Sequence, residues 1–160
     1  MKELSFDTNR LIVSKTDTAG RITYGNTLFT QLSGYTEKEF LGAPHNIIRH
    51  PDMPKIIFKL LWETVKGGNE INAYVVNQTK NGDFYWVFAN VTPSFDSKGE
   101  IVGYYSVRRK PSLASLQAVK PLYKQLLQKE KTEGIQAAQE LLEEVINKKG
   151  GRYDKFILSI

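Results

Sequence analysis

The sequence predicts an α+β fold: one five-stranded antiparallel sheet, short helices on one of its faces, and further helices at the C-terminus. Three observations carry this. Two short β-type segments open the chain, three longer ones lie between residues 70 and 109 after a helical stretch, and from residue 112 the apolar spacing is helical. Strands that bracket a helical stretch, with tight turns among the last three, fit a single sheet better than alternating parallel units.

Each element has its own signal. Residues 11–17 (LIVSKTD) read as a strand, and Ala19-Gly20 turns the chain into a second, Ile22 to Tyr24. Asn26 is placed to cap a helix with apolar face Leu28, Phe29 and Leu32, which Gly34 stops. Thr36 and Glu39 have capping-box spacing and start another short helix ending near Gly42. Pro54 suits the first turn of a longer helix, apolar over most of its circumference (Ile57, Phe58, Leu60, Leu61, Trp62, Val65) and ended by Gly67-Gly68. Residues 70–79 and 84–92 then flank Asn81-Gly82-Asp83, a strong hairpin signal. The last strand, 101–109, follows the turn Asp96-Ser97-Lys98-Gly99.

The hairpin register decides which side chains face the helices, because a slip of one residue exchanges the faces. A two-residue loop at Asn81-Gly82 groups Asn77 with Trp86, Phe88 and Asn90. A three-residue loop with Asn81 or Gly82 left-handed puts Asn77 opposite Val87. Ile71, Ala73, Val75 and Asn77 then share a face with Tyr85, Val87, Ala89 and Val91. The second register is favoured, since it gives one face small residues and two polar groups, as a ligand pocket needs. The other face receives Tyr74, Phe84, Trp86 and Phe88, too much aromatic area to leave in water.

The tail offers a cover. Leu113, Leu116, Val119, Leu122, Leu126 and Leu127 form one apolar stripe, with Pro121 inside it either kinking one helix or opening a second. Beyond Gly134, Ile135, Ala138, Leu141, Leu142, Val145 and Ile146 form another, stopped by Asn147-Lys148-Lys149-Gly150-Gly151. Amphipathic spacing fits equally the packing of these stripes on the chain's own sheet and the docking of a partner or a second copy as a homodimer. The apolar residues 156–160 have no assignment.

Composition narrows the function. The net charge of +5 is spread thinly, 14 Lys/Arg against 11 Asp/Glu in residues 1–110 and 8 against 6 in residues 111–160. The only basic run is Arg108-Arg109-Lys110, so a nucleic-acid footprint is not expected. Absence of cysteine excludes disulfides, thiolate metal sites, iron–sulfur clusters and a cysteine nucleophile. The first residues lack the apolar core of a signal peptide, and no apolar run is long enough to span a bilayer, so membrane insertion is not expected and the expected location is cytoplasmic.

The densest chemistry lies in PHNIIRHPDMP, residues 44–54, which holds both histidines of the chain. His45 and His50 are five apart, with Asp52 the only near carboxylate, too few ligands for a mononuclear zinc or iron centre. One axial histidine would suffice for haem, which leaves that option to His50 or His45. No G-x-S-x-G serine, phosphate loop or dinucleotide glycine pattern is present, so an enzyme is not expected. Anion or cofactor cradling fits better. Arg49 presents a fork for phosphate or carboxylate, His50 can donate or accept, Asn46 or Asp52 can fix a sugar hydroxyl or ring edge, and Pro51 and Pro54 stiffen the backbone. The competing reading makes Asp52 the N-terminal partner of the helix at Pro54, Arg49 a surface charge and His45 a helix-end residue.

The order of elements, with SGYTEKEFLG (33–42) and NQTKNGDFYWVFANVTP (77–93), resembles a PAS domain. GAPHNIIRHPDMP and LWETVKGG are similar to the PAS domain of Aer-type aerotaxis, or energy-taxis, receptors, and AVKPLYKQL (118–126) is similar to the segment that follows it there. The resemblance implies non-covalent FAD, a redox readout, and a signal passed to a membrane-bound chemotaxis receptor by a stand-alone soluble sensor of a bipartite system. It implicates Arg49, His50 and Asp52 in flavin retention, with Trp62, Asn77 and Tyr85 in the surrounding pocket. Asn46, Phe58, Asn26 and Arg108, on the last strand, complete the expected cofactor-binding set. Ile71 stands where many flavin-binding relatives carry a tryptophan. The expected organisation is an N-terminal extension (1–10), a PAS sensor domain (11–110) and a C-terminal helical extension (111–160) for signal transmission or docking. The alternatives are a flavin-free PAS interaction module and a haem-binding oxygen sensor.

Overall fold

The computed structural model describes all 160 residues. Strands β1 (Ile12–Thr16), β2 (Ile22–Gly25), β3 (Ile71–Gln78), β4 (Phe84–Phe95) and β5 (Ile101–Arg109) form one antiparallel sheet in the order β2-β1-β5-β4-β3. Helices α1 (Thr27–Ser33), α2 (Glu37–Phe40) and α3 (Lys55–Lys66), with a 3₁₀ turn at His45–Ile48, lie between β2 and β3 in the chain. Helices α4 (Leu113–Glu133), α5 (Ile135–Lys148) and α6 (Tyr153–Leu158) follow the sheet. None of these helices is long and apolar enough to cross a membrane.

The local signals act as expected. Asn26 caps α1 by accepting from the Phe29 N–H, and Gly34 ends it in the left-handed conformation. Thr36 and Glu39 complete their capping box. Pro54 is the residue just before α3 rather than inside its first turn, and Pro121 lies within a single continuous α4. β4 runs to Phe95, past the expected end at 92. β3 has ended opposite Val91 by then, so Pro93 occupies a stretch paired on one side only, where a proline is tolerated. Gly103 is needed where β5 crosses β1, since a Cβ there would stand 2.3 Å from the Thr16 carbonyl oxygen.

The hairpin turns through Lys80-Asn81-Gly82, with Gly82 at φ 93 and the Thr79 N–H donating to the Asp83 carbonyl. This is the three-residue loop, but Asn77 stands opposite Tyr85 and not Val87. The correction is a shift of two residues, so the face assignment survives: Val75, Ala73 and Ile71 pair with Val87, Ala89 and Val91.

The aromatic outer face is covered by the chain's own tail. Tyr123 of α4 is buried against Trp86, ring centroids 5.9 Å apart, and donates its hydroxyl to the Tyr74 carbonyl. Tyr153 of α6 donates to the Asn72 carbonyl at 2.7 Å, and the Tyr74 hydroxyl donates to the Ile160 carbonyl. Two carbonyls of the edge strand β3 are thereby occupied, which blunts a sheet edge. The apolar residues of 156–160 find their place here, with Phe156 and Ile157 buried.

The tail also reaches the helix layer. α3 has no side-chain cap of its own; Glu130 of α4 accepts from the Lys55 N–H at 3.0 Å and the Ile56 N–H at 2.7 Å. Asp52 plays no such part, contrary to the competing sequence reading. Replacing Glu130 by Ala should therefore lower unfolding stability by about 1 kcal/mol, the usual worth of a helix cap. Urea melts should detect the loss, and hydrogen exchange should place it at the Lys55 and Ile56 amides.

Candidate functional site

Between the sheet's inner face and the segment from the β1–β2 turn to α3 lies a cavity of about 330 Å³, at the lower end of the roughly 300–1,000 Å³ usual for small-molecule sites. Strand alternation supplies its floor. Ser14 and Thr16 of β1 pair with Ser106 and Tyr104 of β5, and Ala89 of β4 pairs with Arg108, all on one face. Val75 and Asn77 continue the floor on β3. Phe58, Leu61 and Trp62 of α3 form the opposite wall, where Trp62 meets Tyr104 edge-on at 5.3 Å and closes over Gly20. Pro44, His45, Asn46, Ile48 and Arg49 make the rim.

Six of the ten expected residues line this cavity: Asn46, Arg49, Phe58, Trp62, Asn77 and Arg108. The Arg49 guanidinium lies over the Phe58 ring, 3.9 Å from its centre, and the Arg49 backbone bridges to Asn77 on the edge of β3. Burial pulls the Arg49 pKa down, and the charge of Glu130 opposes that.

The other four stand elsewhere. His50 packs edge-on against Phe84, ring centres 5.8 Å apart, while its Nδ1 accepts from the Asp52 N–H at 3.0 Å. The Asp52 side chain is 73% exposed. Both residues belong to the turn that follows Arg49 and stand away from the cavity surface, His50 held against Phe84 and Asp52 toward solvent. Asn26 is occupied as a cap, accepting from the Val13 and Phe29 amides. Tyr85 faces the interior as expected, but its hydroxyl is buried without a hydrogen-bond partner. Burial pushes its phenol up to about 12, a rise opposed by the charge of Arg108 and by Asn77.

His45 is the converse case. It begins the 3₁₀ turn, as a helix-end residue would, yet it also lines the cavity. Its Nε2 lies 2.9 Å from the Ser14 hydroxyl and 3.3 Å from an Arg108 guanidinium nitrogen. Since arginine only donates, Nε2 is an acceptor here and the proton sits on Nδ1. Burial, then the charge of Arg108, lowers this imidazole to about 3. With Nε2 so engaged, His45 is poorly placed as an axial haem ligand. No group of three His, Cys, Asp or Glu side chains comes together to hold a metal ion.

Ser14, Thr16, Tyr104 and Ser106 carry no motif and are not anticipated. The available signal is their period-2 alternation with Ile12 and Arg108, which puts polar groups at core-facing strand positions. No Asp or Glu lines the cavity, and Thr16 Oγ1 and Arg108 Nε are buried without partners. Unpaired donors, two guanidinium groups and flat aromatic walls suit a planar, acceptor-rich ligand carrying negative charge, and a flavin nucleotide has these properties.

Comparison with known proteins agrees with the fold. The family described as the PAS fold matches residues 22–108. The aerotaxis receptor of Escherichia coli (strain K12) is 47% identical over 115 residues, covering 72% of this chain and 22% of the receptor. The nitrogen fixation regulatory protein of Klebsiella pneumoniae is 26% identical over 102 residues, 64% of this chain and 21% of that protein. The chain thus spans about a fifth of the length of these relatives. In fold, a light-oxygen-voltage domain whose mechanism was probed through a flavin analogue superposes with a TM-score of 0.63 at 21% identity, covering 71% of this chain and 87% of that one. The blue-light photoreceptor Aureochrome1 domain gives 0.61 at 24%, covering 69% and 88%.

The depressed His45 pKa gives a pH test. The folded state binds fewer protons than the unfolded chain between about 3 and the ordinary 6.5, so this residue's contribution is complete above 6.5 and is lost as pH falls. Stability should decline below pH 6.5 with a slope approaching about 1.4 kcal/mol per pH unit, and His45→Gln should flatten that slope. Denaturant titrations from pH 7 to 4.5 would measure it.

Proposed function

The chain belongs to the PAS family, and we propose that it is a cytoplasmic redox sensor of that family, holding FAD non-covalently and signalling to a membrane-bound chemotaxis receptor in energy taxis. The cavity is the observation that carries the proposal: an arginine at the rim, a second inside, no carboxylate in the lining, and unpaired polar atoms within. Similarity to an aerotaxis receptor supports the assignment to energy taxis, and a light-oxygen-voltage domain described with a flavin analogue supports the ligand class.

In this reading the residues divide the work by position. Arg49, held by its stack on Phe58, pairs with a phosphate, while Asn46 and Asn77 offer amides to a sugar or ring edge. Trp62, Phe58 and Tyr104 supply flat walls that exclude water. His50 and Asp52 act indirectly, by shaping the turn that follows Arg49. Bound flavin supplies an electron-accepting ring whose charge and hydrogen bonding change with redox state. Asn77, at the ring edge, would re-pair in response, and the Arg49 backbone is bridged to it. Because they are bridged through the backbone at the edge of β3, strain there reaches the strand on which α4 and α6 are anchored by Tyr123 and Tyr153. Residues 11–110 are the sensor, 1–10 an extension, and 111–160 the transmitting and docking segment for the receptor or for a second copy.

Purified protein should be yellow with a flavin spectrum and, once stripped, should take up FAD again. Arg49→Ala should weaken FAD binding on the order of tenfold or more, measured by fluorescence titration. Asp52→Ala should cost less, and both should keep the wild-type circular dichroism. Colourless protein that refuses added FAD would sink the proposal in favour of a flavin-free interaction module, and a red protein with a haem band would point to an oxygen sensor.

A further inference from the structure

The tail places one carboxylate beside the cavity rim. Glu133 and Glu144 pair within their own helices, with Lys129 and Lys148. Glu130, partly buried, instead crosses to α3 and accepts from the Lys55 N–H at 3.0 Å and the Ile56 N–H at 2.7 Å. A serine, asparagine or aspartate just before the helix is the usual local solution, but Pro54 stands there and caps nothing. Compensation of this helix end therefore depends on where α4 lies.

Two sources of positive potential meet at the same corner. One is the N-terminal end of α3, a helix of 12 residues, which carries roughly half a positive charge. The other is Arg49, which lines the cavity and stacks its guanidinium on Phe58, a residue of the first turns of the same helix. Neither Arg49 nor Glu130 belongs to an ion pair, yet the charge of Glu130 acts on Arg49. No carboxylate lines the cavity itself. Glu130 is thus an anion that already draws on the field an anionic ligand would meet at the rim.

We infer that Glu130 competes with the anionic end of the ligand for the positive field shared by Arg49 and the start of α3. In doing so it sets the preference of the cavity between charged and uncharged ligands. The inference rests on the flavin reading above, in which Arg49 takes the phosphate end. Coupling of this kind is reciprocal: a charge that weakens ligand binding from the tail is a charge through which the bound ligand weakens the tail's hold on α3. The phosphate end then reports occupancy to α4, apart from the route through Asn77 and β3.

The test uses the full chain stripped of ligand, as wild type and Glu130→Gln, with FAD and riboflavin as probes. Glutamine keeps an oxygen for the Lys55 and Ile56 amides and removes only the charge. Glu130→Gln should bind FAD about two- to fivefold more tightly, and the gain should shrink in high salt. Riboflavin, which lacks the phosphates, should bind both proteins alike. In an Arg49→Ala background the gain should be smaller, the sign of a shared interaction. Hydrogen exchange in the last turns of α4 should be faster in the chain loaded with FAD than with riboflavin. Unchanged or lowered FAD affinity in Glu130→Gln, an equal gain for riboflavin, or equal exchange of α4 with both probes would overturn the inference and leave Glu130 a helix cap only. If the wild type binds neither flavin, the flavin reading falls, and inorganic pyrophosphate at low salt then decides. Tighter binding by Glu130→Gln than by the wild type keeps the competition at the rim, and equal binding or none ends it.

Discussion

A sheet that carries apolar side chains on both faces cannot leave either in water, and the rest of this structure follows from that constraint. One face is met by α1 to α3 and encloses a cavity; the other presents Tyr74, Trp86 and Phe88 and is met by the tail. The tail is thus a packing requirement of the sheet and not an appended arm. Burial alone would leave the edge strand β3 with open carbonyls, and the hydroxyls of Tyr123 and Tyr153 fill that need with the same residues that supply apolar area.

On the inner face, ordinary core rules are followed except at one end. Val75, Val87, Ala73 and Ala89 are small and apolar, while Ser14, Thr16 and Arg108 bring polar atoms to core-facing positions of the two middle strands. Departures of this kind concentrate where function outweighs stability. Burial acts on the titrating groups there with one logic: it disfavours charge on His45 and on Tyr85, and it draws Arg108 down to about 10, Tyr85 partly offsetting that last shift. The outcome is a site with a fixed cation and otherwise neutral partners.

Much of this was legible in the sequence, and what was not has identifiable reasons. Helix ends were read correctly where a capping residue sits beside its helix, as at Asn26 and Thr36. The α3 cap was not, because Glu130 lies 74 residues from the amide it serves at Ile56. The face assignment of the β3–β4 hairpin was readable from alternation, whereas the partner of Asn77 was misplaced by two, a shift that alternation cannot detect. In the segment 44–54 a linear reading weights every polar residue alike. Backbone direction then divides them, turning Asn46 and Arg49 and the discounted His45 to the cavity and His50 and Asp52 away from it. Nothing in the sequence around Ser14 marks it, since its importance arises only when β1 is laid beside β5.

The Glu130 cap has a consequence for the order in which the molecule assembles. α3 is complete in the chain by residue 66, but the carboxylate that satisfies its first amides belongs to a helix that can dock only after β3 to β5 have paired. Closing so long a loop is an entropic cost met late. The first turn of α3, and the neighbouring rim that carries Arg49, should thus be among the last parts of the helix layer to become rigid during folding. They should also be among the first to loosen when the tail lifts.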